Sequence, residues 1–492
     1  MVHYAIIIPI LFPLIAGLIL LRVKFPNRKT RECWIFGITL LNTLFALYAI
    51  FGVHPDVIKV FSFNENFSIA FEIDGLSMVF GTMVSLLWIP TVIYAFEYMT
   101  HEGNEDRFFA FFTMTYGVVL GIAFSGNFLT MYLFYELLTL ATLPLVMHSM
   151  DSKARHAGKV YIFYMMFGAA LAFVGFIFVY TFGDTLDFVY GGVLNLAELR
   201  HQEETLRMVF VVAFFGFGVK AAVFPFYRWL PQASVAPTPV TALLHAVAVV
   251  KSGVFAIIRL TFYSFGTELL IGTWAQYVVL AFVAFTIVFG STVALRTPHI
   301  KRRFAYSTIS NLSYILFGVM LMTPAGLAAA LLHMIYHAVI KITLFFTAGS
   351  FLFNTHREYL YEIEGFGKLM PITSFALTFA GLSLVGIPPL AGFHSKWALA
   401  TASVASGNVV SYIGIVALIL SATLTALYVC YIVARLYFPR KIEYAPDYYH
   451  HVKEATPYMT IPLVVLCIVI FWVGLFPEHI LEILQLVSTG QV

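Results

Sequence analysis

The sequence predicts an all-α polytopic membrane protein of about fourteen spanning helices. Three observations carry this. Of 492 residues, 61% are apolar and 11% are charged, whereas a soluble domain carries about 25% charged residues. The apolar residues fall into runs of about 20, the length a helix needs to cross a bilayer that cannot satisfy open backbone groups. The basic residues alternate between successive loops, as topology requires. The net charge of +3 is too small to point to nucleic acid. Cys33, Cys430 and Cys467 are scattered and lack ligand spacing, which argues against a disulfide scaffold or a thiolate metal site.

Taken in order, the first run, Tyr4 to Leu21, has no basic region before it and no small-x-small cleavage site after it. It reads as a retained span rather than a signal peptide. Further spans start near residues 33, 77, 108, 127, 159, 206, 238, 272, 302, 326, 371, 408 and 457. With the N-terminus outside, 20 of the 28 Lys and Arg fall on inside loops. Arg22, Lys24, Arg228, Lys301, Arg440 and Lys441 are among them. Only Lys59, Arg200 and Arg207 fall outside. Both termini are then expected outside, in the cytoplasmic (inner) membrane of a prokaryote. Gly183 to Thr205 is an acidic outside segment to which no chemistry is assigned.

Two spans carry internal breakers. The seventh contains Phe217-Gly-Val-Lys220-Ala-Ala-Val-Phe-Pro225, and the twelfth contains Gly386-Ile-Pro388-Pro389-Leu-Ala-Gly392 followed by Lys396. Each break is paired with a lysine. The spans lie five apart and so run in opposite directions, which points to inverted repeats around a midplane site. This divides the chain into 1–107 (helices 1–3), 108–265 (first five-helix repeat), 266–438 (second repeat) and 439–492 (helix 14).

A charge at the bilayer centre costs about 2.5–3.5 kcal/mol or more, so an intramembrane ionisable residue is a functional candidate. Glu136 is the one carboxylate placed deep within a span. Lys220 lies in broken span seven, and Lys251 lies six residues after His245 in span eight. His333, His337 and Lys341 recur every four residues on one face of span eleven. Lys396 closes the series beside His394, and Tyr306, Ser307, Thr308 and Ser310 add hydroxyls to span ten. Burial disfavours an ammonium ion. A carboxylate ~4 Å away returns about 4 kcal/mol at an effective dielectric of ~20. Opening and closing such a pair makes a lysine release and recapture a proton, which histidines and water can carry onward. Duller readings stand beside this one. Glu136 and Lys220 could form a static ion pair. His333 and His337 could bind zinc, although no carboxylate or cysteine accompanies them. His245 could be a hydrogen-bonded core residue. Arg259, near the outer end of span eight, is expected to snorkel. No Walker loop, nucleotide-binding glycine fingerprint, or flavin, haem or iron–sulfur ligation is evident.

The run Ser125-Gly-Asn-Phe-Leu-Thr-Met-Tyr-Leu-Phe-Tyr-Glu136-Leu-Leu-Thr-Leu resembles the fifth-helix signature of antiporter-like subunits. These occur in respiratory complex I, Mrp-type sodium/proton antiporters and membrane-bound [NiFe]-hydrogenases. Gly218-Val-Lys-Ala-Ala-Val-Phe-Pro-Phe-Tyr-Arg-Trp-Leu-Pro, His333-Met-Ile-Tyr-His-Ala-Val-Ile-Lys and Gly386-Ile-Pro-Pro-Leu-Ala-Gly-Phe-His-Ser-Lys continue the resemblance in order. The resemblance implies fourteen helices with inverted five-helix repeats. It casts Glu136 and Lys220 as the ion pair of a first half-channel, and Lys251 with His245 as the link to the centre. His333, His337 and Lys341 become the central relay, and Lys396 the terminal site. The chain ends soon after span fourteen and so resembles the mid-length members, without the lateral helix of the longest. Lys396 stands where some mid-length members have glutamate.

Four functions are therefore weighed: a proton-pumping subunit of a redox-driven complex, a component of an Mrp-type sodium/proton antiporter (one like its D chain), a proton-coupled membrane partner of an inorganic-carbon uptake protein, and an inert scaffold. No cofactor is expected in this chain. Iron–sulfur clusters, and in the hydrogenase case [NiFe], would sit in partner subunits. Partners implied are other membrane-arm subunits of the family and small hydrophobic subunits. Hard cations want several oxygens, and Glu136 is the single deep carboxylate. Protons are thus the expected cargo, with any sodium path formed by other subunits or backbone oxygens.

Overall fold

The structure, a computed structural model, describes residues 5–52, 57–64, 67–199, 201–407, 409–439 and 452–491. Arg200, Arg440 and Lys441 of the loop-charge count lie outside the described residues. The first part of the chain forms α1 (Ile8–Leu20), α2 (Arg28–Gly52), β1 (Ile58–Asn64), β2 (Phe67–Phe71), α3 (Gly75–Tyr98), α4 (Glu105–Ala123), α5 (Phe128–Val146) and α6 (Ser152–Phe182). There follow α7 (Glu203–Lys220), α8 (Trp229–Gln232), α9 (Thr238–Ala246), α10 (Val249–Ile258), α11 (Trp274–Arg296), α12 (Ile300–Met320) and α13 (Pro324–Thr355). The last are α14 (Phe366–Leu369), α15 (Pro371–Val385), α16 (Ala391–Ala405), α17 (Val409–Tyr437), α18 (Pro457–Leu475) and α19 (Pro477–Ser488).

Among the described residues, ten helical segments are long and apolar enough to cross a membrane. The expected starts all fall on or near helices, but four of those helices do not meet that measure. At 13 and 15 residues, α1 and α15 are short. Charged residues dilute α7, and basic and hydroxyl residues dilute α12. Local chemistry sets several starts. Asp74, Asn127, Asp151 and Thr323 each accept a hydrogen bond from a first-turn amide of α3, α5, α6 and α13, the role of an N-cap.

The 32-residue α13 is the axis of the bundle. It packs against α3, α9, α12, α15, α16, α18 and α19, and 94% of its most apolar window is buried. By contrast α2, α6 and α17 expose large apolar side chains such as Trp34, Phe163 and Ile419. Such a surface is stable against lipid and unstable against water.

The all-α expectation needs one correction. An antiparallel hairpin of β1 and β2 caps one end of the bundle, and bridges tie Phe71 to Ser125 and Asn127 to Asp187. The acidic segment after α6 joins this cap through those bridges. Alternating Phe and polar residues in Ile58–Phe71 were the strand signal.

Arg259 also departs from expectation. It does not snorkel. It is 2% exposed and grips Asp74 with both terminal nitrogens at 2.6 and 2.7 Å, with Ser77 Oγ at 3.0 Å. The rings of Tyr263, Phe188 and Phe255 lie 4.5–5.1 Å from its guanidinium. The fork geometry of arginine suits a carboxylate and an aromatic wall together. This clamp joins the start of α3 to the end of α10 at the hairpin end. Burial pushes Asp74 up, but the charge and hydrogen bonds of Arg259 and Ser77 outweigh it and hold the carboxyl below its usual range.

Replacing the arginine tests the clamp. Arg259→Met strands the Asp74 carboxylate, and stability in detergent should drop by about 3–5 kcal/mol; the Arg259→Met/Asp74→Asn pair should regain much of it. An unchanged melting midpoint in the single variant would remove the clamp from the account. Glu72, nearby, is pushed up to about 7 by burial, helped by Asp74, opposed by Arg259 and helped again by Asp187. The folded state then holds this proton more tightly than the unfolded chain, so stability falls as pH rises from about 4.5 to about 7. Glu72→Gln should melt above the parent at about pH 8 and together with it at about pH 4, as read by thermal unfolding.

Candidate functional site

The site is built outward from α13. His333, His337 and Lys341 are 3%, 1% and 0% exposed, and each is met by a different helix. From α10, Lys251 brings Nζ to 2.5 Å from His337 Nδ1. From α16, Ser395 Oγ lies 2.9 Å from His333 Nδ1. From α12, Ser307 accepts from Lys341 Nζ, as does the Phe304 carbonyl at 3.1 Å. The two imidazoles are near-parallel with ring centres 5.9 Å apart. Tyr314 lies 5.3 Å from the His333 ring, and its own ring centre is 5.3 Å from Lys396 Nζ. The structure therefore places Lys251, His337, His333, Ser395 and Lys396 in one chain of neighbours, with Lys341 one turn beyond His337.

One helix break explains how a lysine persists here. α15 ends at Val385, and Gly386 takes φ +93°, a conformation that favours glycine. Lys396 Nζ donates to the Leu384 and Val385 carbonyls at 2.7 and 3.0 Å. These are last-turn acceptors with no partner inside the helix, at the negative end of its dipole. The other break, through Pro225, is organised differently. α7 stops at Lys220, Trp229 Nε1 satisfies the Val219 carbonyl at 2.7 Å, and Thr286 accepts from Phe224 N at 3.2 Å. Gly392 lies so close against α15 that a Cβ there would collide with the Ser383 carbonyl oxygen.

The expected Glu136–Lys220 pair makes no direct contact within 4 Å, although the two charges bear on one another. Lys220 Nζ donates to the Tyr135 carbonyl and stands 3.3 Å from the centre of the Tyr135 ring. Glu136 is half-buried, and its Oε1 is buried without a hydrogen-bond partner. The ring and the carbonyl supply the acceptor density that the carboxylate was expected to give. Outside the spans a second carboxylate is enclosed: Glu364 is 0% exposed, on the loop before α14, and pairs with Arg435.

His245 is not hydrogen-bonded. Neither ring nitrogen has a partner, and the ring faces Phe345 at 4.8 Å. It lies in the last turn of α9, and a break over 247–248 separates it from Lys251 on α10. This break contains neither proline nor glycine. Lys251 consequently turns to His337 rather than to His245. Tyr135 and Ser395 were missed in the sequence although each adjoins a candidate, Glu136 and Lys396. Tyr314 had no signal beyond its place in a polar stretch.

Chemically, a neutral imidazole 2.5 Å from an ammonium can take its proton, and Nε2 of both His333 and His337 has no hydrogen-bond partner. The cluster can thus hold and pass protons between lysines.

The sequence pattern of NADH:quinone oxidoreductase/Mrp antiporter transmembrane regions matches residues 125–425, which carry the whole cluster. The chain belongs to this family. The N-terminal pattern of complex I chain 5 matches residues 61–109. This antiporter-like chain is 30% identical over 417 residues to the chloroplastic NAD(P)H-quinone oxidoreductase subunit 5 of Ipomoea purpurea, covering 79% of the chain and 57% of that protein. It is 32% identical over 345 residues to a putative antiporter subunit mnhA2 of Staphylococcus saprophyticus, covering 67% and 42%. The chain thus spans about half the length of these curated relatives. In fold it is similar to a chain of an archaeal respiratory complex, the membrane-bound sulfane sulfur reductase (TM-score 0.84, 23% identity, 99% and 97% covered). A chain of the Mrp complex from Dietzia sp. DQ12-45-1b is also similar (TM-score 0.85, 20% identity, 99% and 97% covered).

Because Glu136 makes no direct contact with Lys220, the neutral isostere should cost the fold nothing. Glu136→Gln is expected to melt at or above the parent in detergent, since a half-buried carboxylate whose Oε1 has no hydrogen-bond partner is itself costly. A lower midpoint would point to a structural ion pair.

Proposed function

We propose that the chain translocates protons as one subunit of a multisubunit membrane complex, driven by redox chemistry in its partners. The observation that carries this is the Lys251–His337 contact at 2.5 Å, continued through His333 to Ser395 and Tyr314 beside Lys396. Buried lysines that lean on imidazoles and open helix ends have acceptors to exchange with, as a relay requires. In this reading Glu136 and Lys220 gate the first half, His245, Lys251, His333, His337 and Lys341 form the centre, and Lys396 ends the second half. The helix breaks at Pro225 and at Gly386, Pro388 and Pro389 mark two inverted repeats, 108–265 and 266–438, within fourteen spans. Residues 1–107 and 439–492 flank them. The hairpin end then faces outside with both termini, in a prokaryotic inner membrane. Iron–sulfur clusters and, in a hydrogenase-like assembly, [NiFe] belong to partners, as do small hydrophobic subunits.

The second reading is a component of an Mrp-type sodium/proton antiporter. It is supported by the staphylococcal putative antiporter subunit, which shares 32% identity with this chain. One experiment separates the two. A tagged chain purified in mild detergent should bring iron–sulfur and quinone- or hydrogen-handling subunits. Recovery of small hydrophobic partners without any metal-cluster protein would transfer the reading to the antiporter.

Under either reading Lys251→Met should abolish proton movement in everted vesicles while the complex still assembles. A fall of at least tenfold is expected, equivalent to about 1.4 kcal/mol on the limiting barrier. Undiminished transport in an assembled variant would leave only the scaffold.

A further inference from the structure

His245 poses a problem that the relay does not solve. It is fully buried, both its nitrogens lack hydrogen-bond partners, and Lys251 faces away from it toward His337. The charges that bear on it come from two sides: Lys341 at the centre of the bundle, and Lys301 at the end opposite the hairpin. A histidine between a central lysine and a surface turn is placed to receive protons from that surface.

The path outward can be read along α9. Thr238, Thr241 and His245 follow at i, i+3 and i+7 and so share one face of the helix. All three are 0% exposed. One turn of about 5.4 Å separates each from the next, a gap that one hydrogen-bonded water bridges. Thr241 Oγ1 donates to the Pro237 and Thr238 carbonyls at 3.3 and 3.1 Å, and Thr238 Oγ1 makes no hydrogen bond within the helix. Beside it stands the Tyr98 hydroxyl, at the end of α3 and 3% exposed. On the other side of Tyr98 stands the carboxylate of Glu102, half-buried in the turn to α4. Glu102 in turn faces Lys301, His101 and Asp151. Lys301 donates to the Ala236 carbonyl at 2.9 Å, two residues before Thr238. Glu358, which also faces Lys301 and Tyr98, is tied to His299 at 3.4 Å.

We propose that Glu102, Tyr98, Thr238 and Thr241 form a proton-uptake port from the Glu102–Lys301 surface to His245. The Glu102 carboxylate takes a proton from water. Tyr98 accepts that proton on its hydroxyl oxygen as it gives its own toward Thr238, and each hydroxyl in turn gains one proton and gives one. His245 receives one proton on a ring nitrogen, and every hydroxyl ends with the proton count it began with. Burial holds Glu102 above the usual carboxylate range, against the opposing pull of Lys301, Tyr98 and His101. A group so placed carries a proton inward at pH values where a free carboxylate would be empty.

This proposal rests on the proton-relay reading, and the experiment separates the two. In everted vesicles carrying the assembled complex, energised by its own electron donor or by a sodium gradient, initial proton movement is measured at about pH 6 and about pH 8. The variants are Glu102→Gln, Glu102→Asp, Tyr98→Phe and Lys251→Met, each normalised to assembled complex. At the higher pH, Glu102→Gln and Tyr98→Phe should be slowed about fivefold or more. The loss should shrink at the lower pH, where protons reach the interior without a collecting carboxylate. Glu102→Asp should retain most of the rate. Parent-like rates in Glu102→Gln and Tyr98→Phe alongside a silent Lys251→Met overturn the port and leave the relay standing. An equal, pH-independent loss in Glu102→Gln and Glu102→Asp also overturns it, because that is the mark of packing. An active Lys251→Met overturns the relay itself. Should Tyr98→Phe fail to assemble, the Gln and Asp variants at Glu102 decide alone.

Discussion

Three ammonium groups held inside an apolar helix bundle, and a fourth half-buried at a helix break, are the constraint around which this molecule is arranged. An isolated charge there is prohibitively costly, so each lysine must be given acceptors, and the fold supplies them in different ways. Lys220 uses a carbonyl and an aromatic face on α5, Lys251 an imidazole on α13, Lys341 a hydroxyl and a carbonyl on α12, and Lys396 the frayed end of α15. In three of the four cases the acceptor is a main-chain oxygen in whole or part. That oxygen comes free because a helix is interrupted or because a side chain reaches a neighbouring helix. Only Lys396 draws on oxygens freed at a break, whereas Lys220 and Lys341 reach carbonyls on neighbouring helices.

The same constraint accounts for the central position of α13. A helix bearing two histidines and a lysine on one face cannot turn that face to lipid. It must be enclosed by helices that carry complementary groups, and α10, α12 and α16 do so. The outer helices α2, α6 and α17 then need only satisfy lipid, and their exposed Trp, Phe and Ile residues do this. At the hairpin end the enclosed guanidinium of Arg259 follows the same rule with a carboxylate and three rings.

Much of this was legible in the sequence because its causes are local. Apolar runs place the helices, and the four-residue spacing of His333, His337 and Lys341 puts them on one face whatever the fold. The breaks at Pro225 and Gly386 follow from backbone chemistry. What was not legible depends on contacts between helices. The break between His245 and Lys251 has no breaker residue, since Val247 is tolerated in helices and Ala248 is an ordinary helix former. Lys251 therefore looked like a partner for His245 when packing had turned it to His337. Arg259 looked peripheral because Asp74, its counter-charge, lies 185 residues away. Glu136 and Lys220 were paired by their charges and by the family resemblance, and the Tyr135 ring that meets Lys220 instead leaves no trace in a one-dimensional pattern.

The contact of Lys396 with the end of α15 links an electrical event to a mechanical one. The ammonium serves as the final rung of that helix, holding the Leu384 and Val385 oxygens that no amide reaches. If the side chain swings away, or gives up its proton and with it much of its hold, those oxygens are left without a donor. The short strand of chain through Gly386 to Leu390 must then rewind or draw in water to serve them. Charging and discharging one side chain would in this way lengthen and shorten a helix, a piston stroke of less than one turn set by the presence of a single proton.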